Sequence, residues 1–233
     1  MREEKVEFEN KGKKIFGFLH IPNSINPPAI IMVHGFGGFA FDKPFEDVAE
    51  NLCRNDFKVL RFAFRGYDGN GSLKDITISE EIPTLKAAID FLEKRNISKI
   101  GLLTESLGGS IAIMLNDARV KAMLLMAPTI RFKETFTRTL HGKYAGEKFF
   151  EEINKINSIK ESQIKAVKCP IMIVHGSKDD EVNPNQSREL FEMANEPKEF
   201  LLLKNGKHVL TRYQETRKKI VQLSLDWFNK YLK

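Results

Sequence analysis

Polar and apolar residues alternate along the first twenty positions in two runs separated by a turn. The first run covers residues 6–9 and the second covers residues 15–19, with Asn10, Lys11 and Gly12 between them. Asparagine and glycine adopt the positive φ angles that tight hairpin turns require. The pattern therefore predicts a β-hairpin at the N-terminus.

Beyond the hairpin, the chain changes to short and almost continuous apolar runs. Six runs have this character: residues 29–33, 59–64, 100–103, 122–126, 171–174 and 200–203. A strand reads as a continuous apolar run when both of its faces are buried, which is typical of parallel sheets covered by helices. The six runs therefore predict the strands of a mostly parallel sheet.

Amphipathic segments with helical spacing lie between these runs. Their apolar positions are Phe45, Val48, Ala49 and Leu52; then Ile82, Leu85, Ala88, Ile89 and Leu92; and finally Ile220, Leu223, Trp227 and Tyr231. Alternation of strands and helices predicts an α/β fold, with a central sheet flanked by helices. We expect residues 1–233 to form one domain.

One connection is much longer than the others. Residues 129–168 separate the strand that ends near Met126 from the strand that begins near Pro170. Ordinary connections in α/β units are far shorter. The segment contains five aromatic residues, namely Phe132, Phe136, Tyr144, Phe149 and Phe150. It could form two surface helices or a lid over a site, and its position relative to the candidate chemistry below favours an inserted lid.

Composition and charge exclude several classes of protein. Hydrophobic residues make up 42% of the 233 positions, which is the usage of a globular protein and not of a disordered chain. The net charge is +6, but basic and acidic residues are interspersed, so a solvated surface is favoured over a nucleic-acid interface. No apolar run reaches the ~18 residues of a membrane span. We expect no nucleic-acid partner and no membrane partner.

The two cysteines and the polar N-terminus bear on location. Cys53 and Cys169 lie far apart and form neither a metal-binding pair nor a disulfide framework. We interpret both as small buried hydrophobic residues. The first residues lack the apolar region of a signal peptide, so we expect a cytoplasmic protein.

A candidate nucleophile follows the third apolar run. The segment Thr104-Glu105-Ser106-Leu107-Gly108 connects a predicted strand to a predicted helix. A serine at such a sharp turn projects its hydroxyl above the sheet, and the residues two positions away must be small. Gly108 meets that demand, whereas Thr104 replaces the usual first glycine. By itself this segment fits a bystander serine equally well.

Three further loops at strand ends carry the remaining candidate groups. Residues 34–38 form a glycine-rich loop after the first long apolar run, where a backbone N–H could face an oxyanion or where the chain could simply turn. Asp179 follows the strand at 171–174, and His208 follows the last strand. Because parallel strands end at one edge of a sheet, these loops converge with Ser106.

The order serine, aspartate, histidine is that of the α/β hydrolases. It predicts a catalytic triad of Ser106, Asp179 and His208, in which His208 takes the serine proton and Asp179 orients the imidazole. The backbone N–H groups of Phe36 and Leu107 would form the oxyanion hole. Asp180 is interpreted as an exposed turn residue, because only one of two adjacent carboxylates can orient His208.

With these motifs, the chain resembles the α/β-hydrolase superfamily throughout its length. It is most similar to the compact cinnamoyl/feruloyl-esterase-like serine hydrolases of prokaryotes. The segments that carry the resemblance are residues 34–36, 60–66, 76–82, 106–109, 169–179 and 206–208. In such relatives an insertion after the sixth strand forms a cap, so the resemblance implies a cap at residues 129–168.

These observations predict a serine carboxylesterase that acts on small-molecule esters with short-to-medium or aromatic acyl groups. Phe36, Phe39, Phe41 and Phe45 lie close together in sequence and suggest an apolar pocket beside the oxyanion loop. A serine peptidase, an aminopeptidase or an acyltransferase could use the same triad. A noncatalytic binding protein with this fold is less favoured, because the chain retains all three candidate residues.

The remaining histidines and motifs imply no further chemistry. His34 and His175 each precede a glycine at a strand end and are interpreted as hydrogen-bonded structural residues; His141 lies in the predicted lid. The sequence contains no HExxH motif, no G-x-G-x-x-G motif and no Walker motif. We therefore expect neither a metal nor a nucleotide cofactor.

Overall fold

The computed structural model describes residues 1–38, 40–67, 72–138 and 145–233, without the side chains of Thr137 and Arg138. The strands are β1 (Arg2–Asn10), β2 (Lys13–Ile21), β3 (Ala29–Val33), β4 (Lys58–Phe62), β5 (Ile100–Glu105), β6 (Val120–Met126), β7 (Ile171–Gly176) and β8 (Lys198–Leu203). The helices are α1 (Lys43–Arg54), α2 (Ile78–Glu93), α3 (Leu107–Leu115), α4 (Phe132–Arg138), α5 (Glu147–Ile156), α6 (Glu161–Ala166), α7 (Asn185–Met193) and α8 (Gln214–Leu232). A short 3-10 helix spans Leu73–Asp75.

The eight strands form one mostly parallel sheet in the order β1-β2-β4-β3-β5-β6-β7-β8. Strands β1 and β2 form an antiparallel hairpin, and β2 is antiparallel to β4. All the other neighbouring strands are parallel. Lys11 and Gly12 in the hairpin turn both have positive φ angles, of 48° and 76°. The predicted hairpin, parallel sheet and α/β-hydrolase architecture are confirmed.

Both faces of the sheet are buried, which explains the continuous apolar runs. In β3, Ile31 and Val33 face one hydrophobic cluster, while Ile30 and Met32 face the other. Helices α2 and α3 and the helices of residues 129–168 contribute to the first cluster, and α1 and α8 contribute to the second. Trp227 of α8 donates its Nε1–H to the backbone oxygen of Met123, 3.0 Å away, and so fixes α8 against β6.

The described part of the long connection after β6 contains three helices, α4, α5 and α6, whereas the surface interpretation expected two. Four of the five aromatic residues in this segment belong to the part of the chain that the structure describes. Phe132, Phe136 and Phe149 are buried, and Phe150 is half-buried. Tyr144 lies outside the described residues. We call residues 129–168 the lid segment.

Hydrogen bonds attach the lid segment to the rest of the fold, among them bonds to α7 and α2. The Gln186 Oε1 atom of α7 accepts hydrogen bonds from the N–H groups of Ile130 and Arg131, each at 2.9 Å. Near the other end, the Glu152 carboxylate accepts a bond of 3.3 Å from the Ser79 N–H in the first turn of α2. A carboxylate at a helix N-terminus also interacts favourably with the helix dipole.

The cysteines differ in burial. Cys53 is buried in the second hydrophobic cluster, as expected, whereas Cys169 is only half-buried. Burial raises the pKa of both thiols to about 11, so both remain protonated at neutral pH. Among the helices in the described ranges, none combines the length and apolar character needed to cross a membrane.

Helix α2 buries a carboxylate that the apolar spacing did not predict. Glu81 is 4% exposed, whereas Ile82, which the spacing assigned to the core, is half-buried. Within the described part of the chain, Glu81 Oε2 has no hydrogen-bond partner. Burial raises the pKa of Glu81 to about 8, and the charge of Glu152 adds to the shift. Glu81 is therefore largely protonated in the folded protein at neutral pH.

This buried acid makes stability depend on pH. The folded state holds a proton on Glu81 that the unfolded chain releases above its ordinary pKa of 4.5, so this contribution to stability falls as the pH rises from there through 8. Glu81→Gln, which has no charge to bury, should gain stability over the native protein by up to about 1.4 kcal/mol per pH unit across that window. Urea unfolding at pH 5, 6.5 and 8 measures the difference.

The matched control is Glu80→Gln, because the Glu80 side chain is 47% exposed and forms an ion pair with Lys13. Its stability relative to the native protein should not increase with pH. Parallel pH profiles for Glu81→Gln and the native protein would contradict a protonated Glu81 in the folded state.

Candidate active site

Ser106 occupies a strained turn between β5 and α3. Its backbone has φ 51° and ψ −120°, a conformation that residues with a side chain rarely adopt. The turn is held by a hydrogen bond from the Ser106 N–H to the Met126 backbone oxygen at 2.8 Å. The Gly109 N–H donates to the Ser106 backbone oxygen at 3.0 Å. This is the strand–turn–helix geometry that the sequence predicted for a nucleophile elbow.

Two glycines allow the neighbouring backbones to approach this turn. A Cβ atom at Gly35 would lie 2.8 Å from the Ser106 Cβ, and one at Gly108 would lie 2.6 Å from the His34 backbone oxygen. Cβ atoms in proteins essentially never approach non-bonded atoms this closely, so both positions require glycine. The loop after β3 therefore passes directly against the serine.

Thr104 fits at the position where glycine is usual. It is completely buried, and its Oγ1 atom would lie 3.2 Å from a Cβ atom at Gly109. The absence of a side chain at Gly109 thus provides space for the larger threonine. The departure from the usual motif is accommodated inside the turn itself.

The predicted oxyanion-hole groups lie beside this turn. Leu107 is the first residue of α3, so its N–H has no acceptor within the helix and lies at the positive end of the helix dipole. Phe36 belongs to the loop that Gly35 brings against Ser106. His34 fixes the start of this loop, since its Nδ1–H donates to the Gly35 oxygen at 2.7 Å and its Nε2 accepts from the Phe64 N–H at 2.9 Å.

These contacts agree with the structural interpretation of His34. Both ring nitrogens are used, and burial lowers the pKa of His34 to about 4. The imidazole is therefore neutral at pH 7. Its function is to join the loop after β3 to the end of β4.

Asp179 and His208 form a hydrogen-bonded pair at the same edge of the sheet. The His208 Nδ1 atom lies 2.8 Å from Asp179 Oδ2, and the Asp179 side chain is 0% exposed. Burial opposes the carboxylate charge, but hydrogen bonds from His175 and His208 outweigh it and hold the pKa of Asp179 far below its usual value. Asp180 is exposed, as predicted.

The charge on Asp179 in turn affects His208. Burial favours the neutral imidazole, but the hydrogen bond and charge of Asp179, with Glu181 and Glu105, prevail and raise the pKa of His208 above 6.5. Since Asp179 Oδ2 only accepts, the proton of neutral His208 lies on Nδ1 and its Nε2 carries a free lone pair. No hydrogen bond within the described ranges joins Ser106 to His208, and such bonds are often long when no substrate is present.

Close backbone contact brings the two loops of this pair together. A Cβ atom at Gly176, the last residue of β7, would lie 2.3 Å from the Gly206 backbone oxygen. The Lys178 N–H donates to that same oxygen at 2.8 Å, and the Asn205 N–H donates to Ser177 Oγ at 2.9 Å. The loop that carries Asp179 is therefore attached to the loop that carries His208.

Glu105, the residue before Ser106, was not identified from the sequence. It is 2% exposed, and its Oε1 atom has no hydrogen-bond partner within the described part of the chain. Burial raises the pKa of Glu105 to about 7, although the charge of the nearby His208 lowers it. The signal available in the sequence was a single charged residue at the end of an otherwise apolar strand.

Aromatic rings connect the oxyanion loop to the lid segment. The ring of Phe36 lies 5.4 Å from the rings of both Phe136 and Phe149, which are 4.9 Å from each other, measured between ring centroids. Tyr67 packs on the opposite side of Phe36, at 6.0 Å. Phe136 and Phe149 of the lid segment therefore pack against the oxyanion loop.

The other phenylalanines of the expected pocket lie elsewhere. Phe45 packs in the second hydrophobic cluster, on the opposite face of the sheet, because α1 covers that face. The ring of Phe41 contacts Phe18 of β2, 5.5 Å away. Phe39 lies outside the described residues, as does His141. The apolar side of the site is thus formed by Phe36 and the lid segment.

The side of the site next to Asp179 is acidic. A cavity of about 240 Å³ opens there between α4 and the loop after β7, and its lining includes Glu134, Asp180 and Glu181. The described residues contain no cluster of three or more histidine, cysteine or acidic side chains that could hold a metal ion. The site is therefore asymmetric, with aromatic rings on one side and carboxylates on the other.

Comparison with known families identifies the chain. Residues 80–233 match the prolyl oligopeptidase family, and this match includes the turn of Ser106 and both loops of the Asp179–His208 pair. The chain belongs to this family. The family and the fold together confirm the resemblance to the α/β-hydrolase superfamily that the motifs indicated.

Curated relatives of this family member are distant in sequence. The protein YfhR of Escherichia coli O157:H7 is 21% identical over 222 residues, covering 88% of this chain and 73% of YfhR. An acyl transferase of Shewanella woodyi is 24% identical over 181 residues, covering 66% of this chain and 59% of the transferase.

Solved structures of esterases share the fold over almost the whole chain. The esterase Est1E of Butyrivibrio proteoclasticus with bound ferulic acid superposes with a TM-score of 0.82 at 19% identity, covering 96% of this chain and 99% of Est1E. The Pyrococcus furiosus esterase Pf2001 gives a TM-score of 0.80 at 20% identity, covering 100% and 94% of the two chains. The fold is therefore one that esterases use.

The geometry distinguishes the two adjacent carboxylates. Asp179→Asn should lower kcat for a p-nitrophenyl ester about ten-thousand-fold, as the corresponding change does in serine proteases, because an amide N–H facing His208 favours the wrong tautomer. Asp180→Asn is the matched control and should retain near-native turnover, since its side chain is exposed. Steady-state kinetics of both variants measures the effect, and a larger loss for Asp180→Asn would move the acid to that position.

Proposed function

We propose that this family member is a serine carboxylesterase that hydrolyses small-molecule esters with short-to-medium or aromatic acyl groups. One observation carries the proposal. Ser106 occupies a positive-φ turn at the carboxyl end of β5, on the same sheet edge as the hydrogen-bonded pair of Asp179 and His208. Nucleophile, base and acid are the three groups that hydrolysis through an acyl-enzyme requires.

The mechanism follows from the protonation of these groups. The free Nε2 lone pair of His208 accepts the hydroxyl proton of Ser106 as the oxygen attacks the ester carbonyl. Asp179 stays ionised and stabilises the imidazolium that forms. The imidazolium then donates its proton to the departing alcohol, which leaves an acyl group on Ser106. Water, activated by the same His208, hydrolyses that acyl-enzyme.

The developing oxyanion requires donors on the other side of the carbonyl carbon. In this proposal the N–H groups of Leu107 and Phe36 provide them, assisted by the positive end of the α3 dipole. One such donor typically lowers the activation barrier by ~3 kcal/mol. The rings of Phe36 and Phe136, supported by the buried ring of Phe149, would contact the acyl group, which favours aromatic or short apolar acids.

Two related reactions use the same acyl-enzyme. The prolyl oligopeptidase family favours peptide-bond cleavage as a second candidate, and the names of several relatives favour acyl transfer, in which an acceptor alcohol replaces water. Paired substrates with one acyl group separate them: a p-nitrophenyl ester tests esterase activity, the matching p-nitroanilide tests amide cleavage, and added alcohols test transfer. We expect the ester to be the preferred substrate.

Ser106→Ala should abolish ester hydrolysis and covalent labelling by a fluorophosphonate while the fold is retained. Alanine keeps the Cβ atom that already fits this turn, so only the nucleophilic oxygen is lost. Intact-protein mass spectrometry measures the labelling, and thermal unfolding checks the fold. Ser110→Ala is the control, since the Ser110 hydroxyl donates to the Thr129 backbone oxygen and takes no part in the proposed reaction. Native turnover by a folded Ser106→Ala protein would refute the assignment.

Phe136→Leu should shift the preference of the esterase toward longer acyl chains. The smaller side chain opens space beside Phe36, and one additional methylene in an apolar pocket changes selectivity by about tenfold. The measurement is the ratio of kcat/KM for p-nitrophenyl octanoate to that for the butyrate. Phe150→Leu is the control within the lid segment, because its ring contacts Phe149 at 6.1 Å and makes no ring contact with Phe36 among the described residues. Equal ratios in both variants would exclude Phe136 from the acyl pocket.

A further inference from the structure

A second histidine binds the same oxygen of Asp179 that His208 binds. His175 lies at the end of β7 and is completely buried. Its Nε2 atom is 2.9 Å from Asp179 Oδ2 and 3.0 Å from the Val182 backbone oxygen. Its Nδ1 atom is 2.6 Å from Ser187 Oγ in α7. His175 therefore connects helix α7 to the carboxylate of the proposed triad.

The protonation of His175 follows from these partners. Both oxygens that face Nε2 can only accept hydrogen bonds, so Nε2 carries a proton. The Ser187 hydroxyl can donate, and its oxygen lies 2.6 Å from His175 Nδ1. Hydrogen bonds in such a chain polarise one another, so the bond from Ser187 strengthens the donor that faces Asp179.

With His175 included, the Asp179 carboxylate has a donor for each of its lone pairs. Oδ1 accepts from the N–H groups of Glu181 and Val182, at 2.9 Å and 2.8 Å. Oδ2 accepts from His208 Nδ1 at 2.8 Å and lies 2.9 Å from His175 Nε2, whose single N–H it shares with the Val182 backbone oxygen. An ionised carboxylate offers about four such positions. The group therefore cannot rotate without breaking a hydrogen bond in a fully buried site.

We propose that His175 is a positioning residue for the catalytic pair, which holds the Asp179 carboxylate in the orientation that His208 needs and limits the share of its charge that His208 receives. This inference rests on the proposed function, because it assigns His208 as the base. His175 retains its Nε2 proton throughout, and the proton of Ser106 moves only to His208 Nε2. In metal sites, the hydrogen-bond partners that orient the ligands typically contribute ten- to hundredfold to activity, and we expect an effect of about that size for His175.

The proposal predicts a change in the pH profile that a purely structural residue would not cause. His208 is faced by Asp179 and Glu181 on the loop after β7 and by Glu105 at the end of β5. Arg212, in the loop before α8, acts on Glu105. When the His175 N–H no longer interacts with Asp179 Oδ2, more of the Asp179 charge acts on His208. The pKa of His208 should then rise, because an opposite charge favours the protonated ring.

The test compares two variants of His175 and one variant of Ser187. His175→Leu keeps an apolar volume but removes the donor, so kcat should fall at least about tenfold with KM nearly unchanged, and the acid limb of kcat/KM should move to higher pH. His175→Gln retains an amide N–H and should recover most of both properties. Ser187→Ala weakens the His175 donor and should shift the acid limb in the same direction by a smaller amount.

His20→Leu is the matched control. His20 is as deeply buried as His175, and its Nε2 accepts a hydrogen bond of 2.9 Å from Arg61, on strands far from the site. This variant should lower the unfolding temperature but leave the acid limb in place. Thermal unfolding of every variant verifies that it is folded at the assay temperature.

Two readouts separate this inference from the proposed function. The first is hydrolysis of p-nitrophenyl acetate between pH 5 and 9, with Ser106→Ala as the blank. The second is an NMR titration of the His208 ring, which needs no turnover. If the native protein shows no hydrolysis above the Ser106→Ala blank, the proposed function fails, and the titration still tests His175.

The inference is overturned if folded His175→Leu has the native kcat, acid limb and His208 titration. It is also overturned if His175→Gln loses as much activity as His175→Leu, because the donor would then not be the property that matters. Where His175→Leu does not fold, Ser187→Ala decides, and a His208 titration identical to the native one in that variant overturns the inference.

Discussion

The buried charge of Asp179 is the constraint on which the candidate site depends. A carboxylate without solvent contact is stable only when donors surround it. Here the donors come from three places: the end of β7, the turn of the same loop, and the loop after β8. Satisfying one charge therefore fixes the positions of two loops and a helix. His208 is oriented because Asp179 cannot turn away from it.

Glycines make the required approach of these backbones possible. Gly176 lies against the Gly206 oxygen, Gly35 lies against Ser106, and Gly108 lies against the His34 oxygen. In each case a Cβ atom would overlap its neighbour and push the loops apart. The strained turn at Ser106 and the close loop contacts are thus parts of one arrangement. The parallel sheet places these loops at one edge, and the glycines allow their backbones to approach closely.

The lid segment packs against this arrangement through aromatic rings. Its helices contribute Phe136 and Phe149 to the same aromatic cluster as Phe36 of the oxyanion loop. It is also tied to α7 through Gln186, and α7 carries Ser187, which contacts His175. Helix α7 therefore contacts both the lid segment, through Gln186, and the hydrogen bonds around Asp179, through Ser187.

The sequence by itself determined the hairpin and the mostly parallel sheet with its alternating helices, because strands buried on both faces require continuous apolar runs. It also placed Ser106, Asp179 and His208 just past three strand ends. The tertiary structure decided what depends on distance across the sheet: the burial of Glu81 and Glu105, the separation of Phe45 from Phe36, and the second histidine on Asp179. Local spacing carries no information on such contacts, since a charged residue shows the same pattern whether it meets water or another strand. His175 and Asp179 are only four positions apart, yet their contact required the fold of the intervening loop.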